Sequence, residues 1–528
     1  MIAQANGPSW PRILLTALSL SIGWGIRGNF GHEFGAMIPG ALAAMAVVLL
    51  SNRPDWHERI GYFGFFGALG WSFGGSMSYM QVIGYTHSGH SSSTLYGFAC
   101  LFVIGFLWAA IGGAGTALPV FLNREKLSVF FGPLSAVFLV WAAQDLIESR
   151  WLAGDPAYRH EDPLYWYDTD WLAAWLAVVV GLACAAVRRR FDSASTLILC
   201  MSVGWWLGFL LLVNGLGWRM TPPRGDNWAG CVGMTIGLWV WLWRQGLAGV
   251  MYACLVAGLI GGFGFAGGQG LKLLGIATGW QTNWHSVLEQ TYGFINGVGI
   301  AVAMGKLAAH VPPLGQGPPA SRRGWTHLYA VAFVLLGITF LNLRRNPGDW
   351  VKAKAFPEWM YGWSASTWFH LGYLVLAVAI GTVLARHWRR PLAVLPATWL
   401  GRGQLLYLVF LWWMVIGNFE RAVVAFAPTR LITEGVIFAN AALATVLLLL
   451  PTVQTTPFGK EEVQPDFRAA LRSALVTAVW SALLCITACW GVTRALYGDQ
   501  PAPASGKHIR FGPQATAAPH PTRGKPHP

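Results

Sequence analysis

"GWGIRGNFGHEFGAMIPG", Gly23 to Gly40, lies between two apolar runs, "RILLTALSLSI" (12–22) and "ALAAMAVVLL" (41–50). It places Arg27, Asn29, His32 and Glu33 close together in sequence that offers nothing else to solvate them. How the flanking runs are read decides the fold. Apolar runs of roughly 17 to 25 residues recur along the whole chain, the length needed to cross a hydrocarbon core about 30 Å thick. In lipid such runs persist only as helices, because each backbone N–H and C=O must bond within its own segment. The chain has 528 residues, of which 55% are hydrophobic and 11% charged. A soluble domain carries about 25% charged residues. The expected fold is an all-α polytopic membrane protein with about 14–15 transmembrane helices, set in a cell (inner) membrane with the lipid bilayer as its main partner.

The net charge of +14 does not indicate nucleic acid. Lys and Arg fall in short loops, where they orient a membrane protein, and no basic stripe with interleaved aromatics occurs. Thirty tryptophans, many near the ends of apolar runs, fit an interfacial aromatic belt. The seven cysteines all lie inside apolar runs without a CxxC pair. They read as packing residues, with no disulfide framework and no metal. No cofactor is implied, and the oligomeric state is left open.

An internal repeat of about 195 residues follows from several matches in one order. "GLGWRMTPPRGDNWAGCVGMTIG" (Gly215 to Gly237) echoes the opening stretch, with Asn227-Trp228 in place of Asn29-Phe30. "GWSFGGSMSYMQVIGYT" (Gly70 to Thr86) matches "GFGFAGGQGLKLLGIAT" (Gly262 to Thr278), and "YGF" at Tyr96 returns at Tyr292. The expected organisation is a first six-helix repeat over 1–192, a second over 193–390, a partial third unit of about three helices over 391–497, and a disordered tail over 498–528. An even number of spans per unit makes the repeats parallel, as in some secondary transporters. The repeat also argues against reading the N-terminal apolar run as a cleaved signal peptide.

The basic loops "SNRPDWHER", "LNREK", "RRRF", "WRQ", "PPASRRG" and "RHWRR" alternate onto one side, which the positive-inside rule makes cytoplasmic. The N-terminus is then cytoplasmic. The Arg27–Glu33 turn and its copy around Arg219, Arg224, Asp226, Asn227 and Trp228 face outside, as do the loops holding His87, His90, His285, Glu289 and Gln290.

Short, glycine-interrupted spans at matching positions of both repeats point to a binding site in transporters. Intramembrane ionisable residues are costly and mark pathways or sites. Arg27 and Arg224 are therefore expected to take an anion, since guanidinium forks suit carboxylates, phosphates and sulfates. Asn29, Asn227, His32, Glu33, Asp226 and Arg219 would add polar contacts or a proton site, and Trp24 and Trp228 stacking faces. The competing reading has the arginines cap carbonyls or pair with Glu33 and Asp226 to hold outer hairpins. His87 and His90, three apart, are read as loop residues ahead of metal ligands. Glu289 and Gln290 are read as helix-packing polar groups and kept as secondary site candidates with His285. The clustered glycines of the third spans read as close-packing faces, since no Lys-Ser/Thr follows them.

No nucleophile elbow, HExxH, P-loop or dinucleotide fingerprint is present. The expected function is a secondary transporter or permease for a small anionic or polyhydroxylated solute. The alternative is a membrane-embedded transferase acting on a lipid-linked or sugar substrate at the outer face, with Glu33, Asp226 or His32 as acid–base groups.

Overall fold

Helices make up nearly all of the computed structural model, which describes residues 10–31, 33–147, 170–221, 226–314, 324–424, 428–450 and 466–503. His32 and Arg224 lie outside the described residues, as does the greater part of the expected tail. Ten helices among the described residues are long and apolar enough to cross a bilayer, which makes the chain a multi-pass membrane protein. Five further expected spans are helical without meeting that standard. Helices α1 (Trp10–Phe30) and α10 (Asn227–Arg244) are diluted by polar residues. Helices α2 (Glu33–Leu49), α4 (Ile60–Phe73) and α8 (Trp171–Val187) are short.

The remaining helices, in chain order, begin with α3 (Pro54–His57), α5 (Met80–Thr86), α6 (Ser91–Phe121), α7 (Arg124–Ile147), α9 (Ser193–Phe209), α11 (Ala248–Ala277) and α12 (Trp284–His310). After these come α13 (Trp325–Ala332), α14 (Ile338–Leu343), α15 (Asn346–Lys352), α16 (Ala365–Arg389), α17 (Trp399–Val424), α18 (Pro428–Leu449) and α19 (Phe467–Tyr497). One two-residue hairpin pairs Trp359–Met360 with Trp363–Ser364.

The centre of the bundle is formed by α1, α2, α4, α6, α11 and α12. Glycines let these helices approach closely. Gly105 of α6 faces the Gly261 carbonyl of α11, where a Cβ would come within 2.5 Å. Gly293 and Gly297 of α12 lie on the backbone of α1 at Leu20 and Ala17. Gly67 and Gly70, from the third span, pack on α2 and α6 in the same manner. By contrast α16 and α19 show mostly exposed apolar side chains, among them Leu374, Val375, Trp480 and Leu484. Such faces suit lipid, which solvates apolar side chains as well as a protein core does.

Two stretches that look alike in sequence, Gly70 to Thr86 and Gly262 to Thr278, lie in helices that pack differently. In the first, α4 lies along α2; the matching α11 packs chiefly on α6 and α12. The stretch 60–86 is also broken. It runs as α4, then a 3₁₀ turn at Gly74–Ser76, extended backbone at Met77, and α5. The similar stretch Gly262 to Thr278 lies almost wholly within one continuous 30-residue helix, Ala248–Ala277. Tryptophan chemistry supports the break. Trp108 Nε1 donates to the Trp71 carbonyl at 2.7 Å, satisfying an acceptor that the end of α4 leaves open. Trp108's ring fills the space where Gly74 would carry a Cβ.

At the end of the bundle that carries the basic loops, Asp55 joins two arginines. Arg53 pairs with it at 2.8 Å and donates to the Ala308 and Val311 carbonyls at the C-terminal end of α12. Arg59 pairs with it at 3.2 Å and donates to the Pro119 and Leu122 carbonyls at the end of α6. One short loop thereby caps two core helices, whose last carbonyls have no partner within the helix. Asp55→Ala should lower stability by about 2–4 kcal/mol, because it leaves the buried Arg59 charge unpaired. The exposed Glu58–Arg124 pair is the control, and Glu58→Ala should cost less than about 1 kcal/mol. Size-exclusion profiles of heated, detergent-solubilised protein check both.

Candidate functional site

Helix α1 ends at Gly31, whose φ of +100° is open to glycine and strained for other residues. Arg345 Nη1 satisfies the Phe30 carbonyl at 3.0 Å, and Asn342 Nδ2 donates to the Phe34 carbonyl at 3.1 Å. With its last turn held in this way, α1 directs Arg27 into the bundle, where the residue is only 2% exposed.

Arg27 meets a carboxylate that lies far along the chain. Its Nη1 is 2.9 Å from Glu289 Oε1, and Glu289 is equally buried. The same nitrogen donates to Tyr79 Oη at 2.9 Å, and Tyr79 donates to Glu289 Oε1 at 2.6 Å. Tyr292 Oη donates to Tyr79 at 3.0 Å. His285 Nε2 lies 3.5 Å from the same carboxylate oxygen and is itself 38% exposed. The guanidinium sits about equidistant from the rings of Trp24 and Trp108, 5.0 Å from each, and 5.5 Å from Tyr79. Ring faces attract a cation, more strongly where water is excluded. Trp71, Phe265 and Tyr292 complete the aromatic enclosure around Trp24. Tyr79 reaches the pair because it stands in the break between α4 and α5.

Glu289's second oxygen, Oε2, rests against Gly28, where any Cβ would overlap it. Gly28 is exposed on its other side. The carboxylate is therefore separated from the exposed C-terminal end of α1 by a single glycine.

Next to the pair lies a second polar group. Asn29 Nδ2 donates to Asn418 Oδ1 at 2.6 Å and to Glu434 Oε1 at 3.3 Å. Asn418 donates to Glu434, and Arg430 donates to Asn29. Gln290 donates to the Thr433 carbonyl at 3.1 Å, joining α12 to α18 beside them. The first polar turn is thus completed by side chains of α17 and α18. By sequence alone Glu420, Arg421, Arg430 and Glu434 read as a separate outer group.

The second polar turn is arranged otherwise. Asp226 Oδ1 accepts from Met220 N at 2.7 Å, Thr221 N at 2.9 Å and Trp228 Nε1 at 3.1 Å. Arg219 approaches its other oxygen at 3.4 Å from a half-exposed position. This carboxylate is saturated by its own loop, an arrangement that fastens the turn and leaves little capacity for acid–base work. Asn227 Nδ2 donates to the Ser76 carbonyl and to Asp170 Oδ2, both at 3.3 Å. Ser76 Oγ lies 3.4 Å from Cys231 Sγ. The N-terminal end of α10 therefore holds one side of the Gly74–Tyr79 break, and the Arg27–Glu289 pair holds the other.

Among the remaining candidates, Glu33 begins α2. Glu289, which the approach of α12 to α1 brings within reach, is a partner of Arg27 that the sequence reading does not expect. Trp24 is fully buried, so its ring face serves Arg27. His87 is buried, and its carbonyl accepts from Ala502 N at 3.1 Å. Residues 498–502, expected to be disordered, pack there instead. His90 Nδ1 bonds Ser93 Oγ at 2.9 Å at the start of α6. Sequence reasoning misses Tyr79 and Tyr292, and the signal available is their position at the ends of matching glycine-rich or "YGF" segments.

No known protein family, no curated protein and no solved structure matches the chain. Function is therefore read from the site, which is the sounder basis in any case.

Removing one member of the pair should be far worse than removing both. Arg27→Leu or Glu289→Leu alone should cost about 3–5 kcal/mol, and the double variant should recover most of it. Gly28→Ala should behave like a weakened Glu289 single variant, since the methyl displaces the carboxylate. Thermal unfolding of the purified variants reads all four.

Proposed function

We propose that the chain is a secondary transporter or permease for a small anionic or polyhydroxylated solute, with its polar site towards the outside. The observation that carries this reading is a buried ion pair standing where a membrane span is interrupted. Discontinuous helices near a buried charge are how transporters build substrate and ion sites within the bilayer, and irregular backbone at membrane depth is tolerated where protein groups satisfy it. Trp108 and Asn227 satisfy it here.

In this reading Arg27 receives the solute's anionic group in exchange for Glu289. Asn29, Asn418 and Glu434 form the polar wall that a hydroxyl-bearing solute would contact. Asp226 and Asn227 support the broken span and do not bind solute. The basic end with Arg53, Arg59 and Arg124 is cytoplasmic, which places the N-terminus inside. The parallel repeat is retained as an account of the origin of the two halves, whose packing has since diverged.

Accessibility tests the reading without a substrate. In a cysteine-free background, single cysteines replace Asn29 and Ser78, with Trp280→Cys as outer and Phe191→Cys as inner controls. Oriented vesicles are labelled from each side with an impermeant thiol reagent. Asn29→Cys and Ser78→Cys should label from both sides while each control labels from one. Labelling of both from the outside alone would reject alternating access and favour the outer-face transferase.

A further inference from the structure

If Arg27 is the anion-receiving group, Glu289 loses its cation at the moment of binding. Resting on that assignment of Arg27, we propose that Glu289 is a proton-binding site coupled to anion binding, so that a monoanion enters the site together with a proton taken up through His285.

The geometry makes the two events one. Arg27 Nη1, at 2.9 Å from Glu289 Oε1, is the donor that an incoming carboxylate or phosphate would claim, because guanidinium binds these groups alike. A carboxylate displaced from it would remain 2% exposed with no permanent cation beside it, only the Tyr79 hydroxyl and the His285 ring, a state that costs several kcal/mol. Taking up a proton removes that charge. The balance is closed: before binding, Arg27 and Glu289 sum to zero. Afterwards the Arg27 cation, the neutral Glu289 acid and the bound monoanion again sum to zero. No charge is left uncompensated in the membrane.

A route for the proton is present. His285 is 38% exposed with Nε2 3.5 Å from Oε1, and its ring stacks on Tyr79 with centroids 6.3 Å apart. The proton passes from water to His285 Nε2, then to Glu289 Oε1 once Arg27 has turned to the solute. Tyr79, which donates to that oxygen at 2.6 Å, rotates its hydroxyl to accept from the protonated acid or from Tyr292, which already donates to it.

The other charged or titratable groups facing Glu289 do not substitute for Arg27. Tyr79 and Tyr292 are neutral hydrogen-bonding groups. Lys272 of α11 acts on Glu289 only at a distance and forms no ion pair with it. Glu434 of α18 adds negative charge to the same region, which favours a proton over a bare carboxylate.

The test uses purified full-length protein in weakly buffered solution near neutral pH, with the monoanions gluconate and glucuronate as probes. Thermal stabilisation reports binding, and a pH indicator reports proton uptake. The expected result is about one proton taken up per monoanion bound, with affinity weakening about tenfold per pH unit as pH rises. Glu289→Gln should bind the same anion with no uptake and no pH dependence. His285→Ala should keep the equilibrium stoichiometry and slow the uptake at least tenfold in stopped flow, about the scale of a lost proton relay.

Binding without proton uptake, or uptake that persists in Glu289→Gln, overturns the proposal and leaves the anion site standing. Stabilisation by none of the probes overturns the anion reading and the proposal together. Should Glu289→Gln fail to fold, pH-difference infrared spectra of the wild type decide the matter. A protonated-carboxyl band must appear on anion addition, and its absence overturns the proposal.

Discussion

A guanidinium and a carboxylate, both almost wholly removed from solvent, face each other across the α1–α12 contact at Arg27 and Glu289. Taking two such charges out of water is expensive, and their attraction repays the cost only when further hydrogen bonds and good geometry assist. The surroundings supply that assistance. Tyr79 bonds both partners, two indole faces flank the cation, and Gly28 leaves room for the second carboxylate oxygen. Tyr79 reaches both partners from the break between α4 and α5.

At the opposite end of the bundle α12 is tied to α6. Arg53 covers the last carbonyls of α12 and is itself paired with Asp55, which also holds Arg59 on α6. Away from that end, Gly293 and Gly297 of α12 bring its backbone against that of α1. The central helices are therefore closely bound to one another along their length. The Gly74–Tyr79 segment differs from them, since its irregular backbone depends on side chains of other helices. Asn227 from the second polar turn is one of these, so the two turns that look alike in sequence meet at the same segment from opposite sides and do different work.

This division explains why the second turn is poor in ionisable function although it is rich in polar residues. Asp226 accepts from two backbone amides, a hydroxyl and an indole within its own loop. A carboxylate so fully occupied fixes local geometry. Glu289 has its donors concentrated on one oxygen and drawn from separate elements, and it is this distribution that lets a single displacement change its state.

The sequence by itself determined the membrane class, the position of nearly every span and the polar turn around Arg27, because hydropathy and helix length are local properties that lipid enforces on any arrangement. It also placed His285, Glu289 and Gln290 at the same end as Arg27 through the alternation of basic loops. Tertiary structure alone decided which carboxylate meets Arg27, since that partner lies 262 residues away and depends on how glycine faces bring α12 against α1. It alone decided that "GWSFGGSMSYM" breaks while the similar "GFGFAGGQGLK" continues as a helix. The glycines permit either outcome, and the break is stable only where Trp108 and Asn227 from other helices take up the carbonyls it exposes.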